Sequence, residues 1–384
     1  MVRGYLAPKV YFRNTMATAF IAPEIFTGAE IHTGRAVLVK DGTVTGIVPI
    51  SDIPAGYRQR ELSGYLLAPA FLDLQIYGGN GRLFSAEMTT EALDAVYEYC
   101  LQGGCTQFQI TLATNSIEKF LRGLEVAKQY RSRGGKGLLG VHLEGPYINP
   151  AKKGAHIEKF IKKPTEEEIG QLLQKGKDVF RMMTLAPEQC DPACIQLLQQ
   201  QGVVVSAGHS NASYEQAIDG FYLGIPAATH LFNAMSPLQG RAPGMVGAIY
   251  DHNDVRASVV CDGVHVDYAS IRISKKIMGE RIFFITDAVA EVQYGEYVHI
   301  YKEDRFTLPD GTLSGSALTM LQAVRNGVEK AGIPLPEALR MASLYPAKLM
   351  GLDNRFGTIQ PGSQADFVLL DDQLNLLQVF VEGE

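Results

Sequence analysis

The chain has 384 residues, which is enough for one large domain and a smaller one. Hydrophobic residues make up 46% and charged residues 20%, so the composition predicts a globular protein and excludes a disordered chain. The net charge of -6 lacks the basic excess that is usual in nucleic-acid binders. We therefore expect a small-molecule partner and no nucleic acid.

Targeting signals are absent from the sequence pattern. No apolar run approaches the roughly 18 residues that a membrane helix needs, and the first residues lack the clean apolar stretch of a signal peptide. The five cysteines are odd in number and lie mostly in apolar segments, which is typical of reduced core thiols. We expect a cytoplasmic protein that does not bind membranes. Residues 1–15 fit no obvious element and are interpreted as a leader segment or a misassigned start.

Both ends of the chain contain short β-rich runs. Residues 36–48 form two such runs around Asp41-Gly42, a favoured hairpin turn, and residues 365–371 and 377–382 are two further strand candidates. We predict that residues 16–66 and 358–384 together form one small β-sandwich domain.

Between the ends, apolar runs of four to seven residues alternate with helical stretches, as in repeated βα units. The candidate strands are residues 67–74, 106–111, 138–142, 181–185, 203–206, 227–230, 257–261 and 281–286. Eight such strands predict an α/β fold, a (β/α)8 TIM-like barrel over residues 67–357. A helical pair at residues 316–330 and 335–350 is interpreted as packing.

Catalytic groups of such barrels come from the carboxyl ends of the strands. Polar residues at the predicted ends are Gln75, His142, Glu144, His209, His230, Asp262, His265 and Asp287. Two histidines and one glutamate form a known catalytic zinc set that leaves a water position open. Glu144, His209 and His230 fit that set, although any one histidine alone could equally be structural.

Asp287 follows the last predicted strand, where a carboxylate could take a proton from the attacking water and later protonate the leaving group. The alternative is that Asp287 caps a helix. We favour the chemical role because the strand end faces the predicted metal site.

Six segments, in this order, resemble the N-acetylglucosamine-6-phosphate deacetylases of the amidohydrolase superfamily. They are His142-Leu-Glu-Gly-Pro-Tyr-Ile-Asn, Ser206-Ala-Gly-His-Ser-Asn-Ala, Thr229-His-Leu-Phe-Asn-Ala-Met, Asp262-Gly-Val-His-Val-Asp, Thr286-Asp-Ala and Leu313-Ser-Gly-Ser-Ala-Leu-Thr-Met. The resemblance runs from about Phe20 to the end of the chain. It implies hydrolysis of N-acetyl-D-glucosamine 6-phosphate to D-glucosamine 6-phosphate and acetate, in amino-sugar catabolism and cell-wall sugar recycling.

The resemblance also implies roles for individual residues. Glu144, His209 and His230 would bind the metal, Asp287 would act as base and then acid, and His156 would polarise the acetyl carbonyl. The implied substrate-binding residues are Gln75, Ala155, His156, Asn233, Ala234, Arg241, His265, Leu313, Ser314 and Gly315. In relatives the arginine that corresponds to Arg241 is supplied by the adjacent subunit, so the resemblance implies a homodimer. A guanidinium suits phosphate because it forms paired hydrogen bonds.

The sequence departs from most of the superfamily at the end of the first barrel strand. Gln75 and Tyr77 stand where a His-x-His pair supplies ligands for a further metal. This departure resembles the subset of these deacetylases that works with one ion, so we predict one divalent metal ion per subunit. Zinc is the default, and Fe, Mn or Co would also suit two imidazoles and a carboxylate.

Two other functions fit parts of the pattern. Another amidohydrolase, such as a cyclic amidase or an aminohydrolase acting on a base, would share the barrel but not Arg241 or the segment at Leu313. A sugar-phosphate sensor on an inactive barrel would explain the missing His pair, but it would not need Asp287. His32, His252 and His299 lie away from the barrel strand ends and are interpreted as structural or surface residues.

Overall fold

The computed structural model describes residues 17–384, so the predicted leader at residues 1–15 lies outside the described residues. The strands are β1 (Thr18–Ile21), β2 (Glu24–Phe26), β3 (Ile31–Thr33), β4 (Arg35–Lys40), β5 (Thr43–Pro49), β6 (Arg58–Glu61), β7 (Leu66–Pro69), β8 (Phe71–Ile76), β9 (Gly78–Gly79), β10 (Arg82–Leu83), β11 (Cys105–Ala113), β12 (Leu138–Glu144), β13 (Phe180–Leu185), β14 (Val204–Ala207), β15 (Ala227–Ala228), β16 (Arg256–Val260), β17 (Ile282–Ile285), β18 (Ile300–Lys302), β19 (Arg305–Thr307), β20 (Leu313–Ser316), β21 (Phe367–Leu370) and β22 (Leu376–Phe380).

The helices alternate with the strands of the central part of the chain. They are α1 (Phe84–Glu87), α2 (Thr90–Gln102), α3 (Ile117–Ser132), α4 (Glu166–Gly176), α5 (Pro192–Gln200), α6 (Tyr214–Tyr222), α7 (Gly244–Asp251), α8 (Tyr268–Met278), α9 (Met320–Glu329), α10 (Leu335–Ala342) and α11 (Leu344–Leu349). Local chemistry sets several of their starts. The side chains of Thr89, Ser116 and Ser213 accept backbone N–H groups at the first turns of α2, α3 and α6, which stabilises helix ends.

Eight parallel strands form one sheet whose order follows the chain, from β8 through β11 to β17. The sheet closes because Ile76 bridges to Ala288 and the Asp287 N–H donates to the Gln75 carbonyl at 3.0 Å. These strands are almost wholly buried, as expected where helices cover the outer face of a parallel barrel. The predicted (β/α)8 barrel is confirmed.

The two ends of the chain pair with each other. One sheet has the order β5-β4-β1-β6, and a second has the order β22-β21-β7-β2-β3, so strands near the start and the end share a sheet. A common apolar core contains Phe20, Leu67, Phe367 and Phe380. The hairpin predicted at Asp41-Gly42 is confirmed, with both residues at positive φ between β4 and β5. The exact division of the chain into two domains stays a prediction.

Several predicted elements have different bounds in the structure. Residues 67–74 are not one strand, because β7 pairs with β2 and β21 while β8 pairs with β11. The strand at 227–230 ends at Ala228. The helix at 316–330 begins only at Met320, since Ser316 still belongs to β20, and the helix at 335–350 breaks at Ser343. No helix within residues 17–384 is long and apolar enough to cross a membrane.

A three-stranded sheet, β18-β19-β20, follows the last barrel strand and returns to the barrel mouth. The Ser316 N–H donates to the Asp287 carbonyl at 3.0 Å, and the Val289 N–H donates to the Ser316 carbonyl at 3.1 Å. These bonds fix β20 beside the end of β17, so the segment forms a wall above the carboxyl ends of the strands.

Candidate metal centre and active site

A cavity of about 270 Å³ opens at the carboxyl ends of the barrel strands. Every predicted site residue lines it except Gln75 and Arg241. Those that line it are Glu144, Ala155, His156, His209, His230, Asn233, Ala234, His265, Asp287, Leu313, Ser314 and Gly315. The structure therefore brings together residues that are up to 171 positions apart in the chain, from Glu144 to Gly315.

The backbone turns sharply where the key side chains enter the cavity. His209, His230 and Asp287 have φ values of 48°, 38° and 56°, in the left-handed region that residues other than glycine rarely adopt. Such strained positions persist only where the surrounding structure holds them, and they are frequent at active sites. Each of these three residues follows a barrel strand, and this turn directs its side chain toward the barrel axis.

Three donors converge on one point of the cavity. His230 Nε2 lies 3.0 Å from both Glu144 Oε1 and His209 Nε2, and His209 Nε2 lies 3.4 Å from the same carboxylate oxygen. Burial alone would raise the pKa of Glu144, but the neighbouring histidines lower it well below its usual value. The carboxylate is therefore ionised and available as a ligand.

His156 is a fourth candidate donor, since its ligand atom and those of Glu144 and His209 lie within 4.8 Å of one another. Hydrogen bonds distinguish its role. His156 Nδ1 accepts from the Thr114 N–H at 3.3 Å, which leaves the proton of the neutral ring on Nε2. Burial lowers the pKa of His156 to about 4, so the ring is neutral. His156 therefore directs its Nε2–H toward Glu144, whose Oε2 lies 3.1 Å away at the cavity wall.

His209 has the opposite tautomer. Its Nδ1 lies 2.9 Å from the Lys152 carbonyl, which can only accept, so Nδ1 carries the proton and Nε2 presents a lone pair. His230 Nδ1 is buried without a partner among residues 17–384. Two imidazole nitrogens and a carboxylate oxygen this close together can share one cation. The residues present fit a divalent metal ion held by Glu144, His209 and His230.

Gln75 and Tyr77 stabilise the acidic side of the cavity. Gln75 Nε2 donates to Glu144 Oε1 at 3.0 Å and to Asp287 Oδ1 at 2.9 Å, and the Tyr77 hydroxyl donates to Glu144 Oε2. Gln75 thus lies beneath the cavity rather than in its wall. Where most of the superfamily has metal-binding histidines, this chain has hydrogen-bond donors to the two carboxylates.

Asp287 is buried in the cavity wall, where its carboxylate lies between Gln75 and His265. Burial raises the pKa of Asp287 above its usual value, which favours proton uptake by this carboxylate. His265 Nε2 is 3.7 Å from Asp287 Oδ2, and His265 Nδ1 is held by Asp262 Oδ2 at 2.6 Å. The alternative role as a helix cap does not apply, since no helix begins at this position.

Arg241 does not reach the cavity of its own chain. It is exposed and lines a separate surface depression beside Tyr214 and Pro243. The cavity wall also contains residues that the sequence analysis did not assign to the site, among them Tyr297 and His299. His299 was interpreted as structural or surface; it is buried rather than on the surface, and it lines the cavity because the segment after β17 returns there. Only its nearness to the Leu313 segment could have indicated this.

These features define a metal-dependent hydrolase of the TIM-barrel type. The chain matches the description "Amidohydrolase family" over residues 66–384 and "NagA composite domain" over residues 19–67, so it belongs to the amidohydrolase family. That superfamily is metal-dependent, and the cluster around Glu144 could bind a metal.

Individual relatives and a solved structure are similar to the chain over nearly its full length. The chain is 34% identical to an N-acetylglucosamine-6-phosphate deacetylase of Haemophilus influenzae, over 96% of this chain and 99% of the relative. It is 32% identical to an N-acetylgalactosamine-6-phosphate deacetylase of Shewanella sp., over 94% of each chain. The crystal structure of N-acetylglucosamine-6-phosphate deacetylase from Pasteurella multocida superposes with a TM-score of 0.91 at 34% identity, over 96% of this chain and 99% of that one.

Proposed function

We propose that the protein hydrolyses N-acetyl-D-glucosamine 6-phosphate to D-glucosamine 6-phosphate and acetate, in amino-sugar catabolism. The observation that carries this proposal is the convergence of Glu144, His209, His230 and Asp287 in one cavity. The relatives named for this reaction match the chain over nearly its full length.

The proposed cofactor is one divalent ion per subunit, with zinc as the default and Fe, Mn or Co as alternatives. Glu144, His209 and His230 would hold it. When bound, such an ion supplies Lewis acidity that lowers the pKa of water and polarises a carbonyl. The Gln75 and Tyr77 hydrogen bonds support a single ion, because these side chains occupy the usual positions of further histidine ligands.

Side chains of the protein carry out proton transfer and stabilise the charge that develops on the substrate. Asp287 accepts a proton from the attacking water and returns it to the amide nitrogen as the C–N bond breaks. His156 lines the cavity, and its Nε2–H, 3.1 Å from Glu144 Oε2, is the donor for the acetyl oxygen, where negative charge develops. Gln75 orients the Asp287 carboxylate through the bond at 2.9 Å.

The phosphate end lies on the side of the cavity formed by Asn233, Ala234 and His265. Arg241 would complete it from a second subunit, since it lies outside the cavity of its own chain. Leu238, in the same loop, is a large apolar side chain that is 52% exposed, as expected of an interface. The proposal therefore includes a homodimer.

We also propose a cytoplasmic setting. The five cysteines are unpaired and four of them are buried, which supports this setting because disulfides are rare in the cytoplasm.

Replacement of Asp287 by Asn tests the chemical assignment. The variant keeps the shape and the proposed metal ligands but cannot accept a proton, so acetate release should fall at least about 1,000-fold with the metal content unchanged. The matched control is Asp267→Asn at the start of α8, which should retain activity. Loss of the metal in Asp287→Asn would instead make Asp287 mainly a ligand.

A further inference from the structure

The cavity wall contains an imidazole that the proposed mechanism does not use. His299 precedes β18 and is only 5% exposed, and it lines the same cavity as Glu144 and Asp287. Its Nδ1 lies 2.9 Å from Ser314 Oγ, and its ring is parallel to that of Tyr297 at 6.1 Å between centroids.

The second nitrogen of His299 is available to a ligand. Nε2 has no hydrogen-bond partner among residues 17–384. It is also not fully buried, so a molecule in the cavity can reach it. Tyr297 cannot serve it, because its hydroxyl already donates to the Thr114 carbonyl at 2.7 Å. A ligand that covers Nε2 must therefore supply a hydrogen-bond partner, because a polar atom left unpaired on binding is costly.

The chemistry of this position suits a hydroxyl group rather than a phosphate. Burial lowers the pKa of His299 to about 4, so the ring is neutral and offers one N–H or one lone pair. A sugar hydroxyl can donate to or accept from either form, whereas a phosphate would need a donor and would be better neutralised by a cation.

The proposed function places the other groups of the substrate. The acetamido group must lie at Asp287, and the phosphate at His265 and Asn233, so ring hydroxyls remain for the wall that contains His299 and Ser314. We propose that His299 Nε2 binds a ring hydroxyl of the sugar phosphate and is a specificity-determining residue, with Ser314 as its positioning residue. This inference rests on the proposed function.

A contact with a ring hydroxyl could decide which of two epimeric sugar phosphates the protein accepts. Relatives named for the glucosamine and the galactosamine substrates are 34% and 32% identical to this chain, so overall identity does not separate these C4 epimers. A site that hydrogen-bonds a hydroxyl can reject analogues that lack it strongly, because the polar group of the protein is then left unpaired.

The test measures every protein variant with every substrate analogue, as in a double-mutant cycle. The variants are His299→Phe, His299→Gln, Ser314→Ala and, as a matched histidine outside the cavity, His252→Phe. The substrates are N-acetylglucosamine 6-phosphate, its C4 epimer, and the 1-deoxy, 3-deoxy and 4-deoxy analogues. The readout is kcat and KM for acetate release, with the unfolding temperature of each variant measured alongside.

We expect His299→Phe to lower kcat/KM about 10- to 100-fold on the natural substrate and by less than about 3-fold on one deoxy analogue, the one that lacks the contacted hydroxyl. His299→Gln should restore part of the loss, Ser314→Ala should show the same selectivity more weakly, and His252→Phe should show none. A loss by the same factor on every substrate, or no loss on any, would overturn the inference. If His299→Phe does not fold, His299→Gln and Ser314→Ala decide by the same criterion. If the wild-type protein is inactive on N-acetylglucosamine 6-phosphate and on all the other compounds, the proposed function itself is refuted.

Discussion

The side-chain amide of Gln75 donates a 3.0 Å hydrogen bond to Glu144 Oε1. Glu144 is a proposed metal ligand, so this neutral donor stands beside the metal site where most of the superfamily has histidines. The same nitrogen also donates to Asp287 at 2.9 Å. One uncharged side chain therefore connects the proposed ligand to the proposed proton carrier.

Replacing Gln75 with Leu should lower kcat while leaving the metal content near one ion per chain. Hydrogen bonds to charged groups contribute about 1.5–3 kcal/mol, so kcat should fall roughly 10- to 100-fold. Gln109→Leu is the matched control, since Gln109 is a buried glutamine of the barrel whose amide, among residues 17–384, donates only to Met350 Sδ. Steady-state kinetics with metal analysis decides, and equal effects of both variants would contradict the role of Gln75.

The tautomers of the histidines predict which of them bind the metal. His230→Asn should reduce bound metal well below one ion per chain, whereas His156→Asn should keep the metal and lose turnover, because His156 Nδ1 already accepts the Thr114 N–H. Metal analysis of dialysed protein measures this. Loss of metal in His156→Asn with retention in His230→Asn would replace the proposed set by Glu144, His156 and His209.

The position of Arg241 predicts complementation between two inactive variants. If the arginine acts across a dimer, a hybrid of Arg241→Ala and Asp287→Asn contains one site with both residues intact. Random mixing makes half the dimers hybrid, so co-refolded variants should recover about a quarter of the wild-type activity when Arg241→Ala alone is nearly inactive. No recovery in verified hybrid dimers would show that Arg241 acts within its own chain or not at all.

Asp73 predicts a pH dependence of stability. It is buried, accepts from the Gln75 N–H at 3.1 Å and from the Thr286 hydroxyl, and burial raises its pKa to about 7. The neutral form is thus favoured in the folded state, so its stabilising contribution is full below about pH 4, the unfolded pKa, and is lost as pH rises toward 7. Relative to Asp73→Asn, the wild type should lose stability between pH 5 and pH 8.

Unfolding temperatures of chelator-treated wild type and Asp73→Asn at the two pH values measure this effect. Asp267→Asn, at an exposed helix start, serves as the matched comparison. A difference between wild type and Asp73→Asn that stays constant or changes in the opposite direction would contradict the assignment.

The barrel could be predicted because each buried strand is an apolar run followed by a polar residue. The boundary between β7 and β8 could not, since both strands are fully buried and no polar residue separates them; only the Pro69-Ala70 link marks the change of sheet. The strand predicted at 227–230 was too long because His230 leaves it with a left-handed backbone.

The site was predictable only where a side chain follows a barrel strand or belongs to a matched segment. His299 does neither, and its place depends on how the segment after β17 folds back, which local pattern does not encode. The environment of Gln75 was also hidden, because its contact with Glu144 joins residues 69 positions apart.

The most direct test of the central claim is acetate release from N-acetylglucosamine 6-phosphate by protein of known metal content. We predict turnover that rises in proportion to bound metal up to one ion per chain, disappears after chelation and returns with Zn, Fe, Mn or Co. No turnover by folded protein carrying one ion per chain, with each of these metals in turn, would contradict the account.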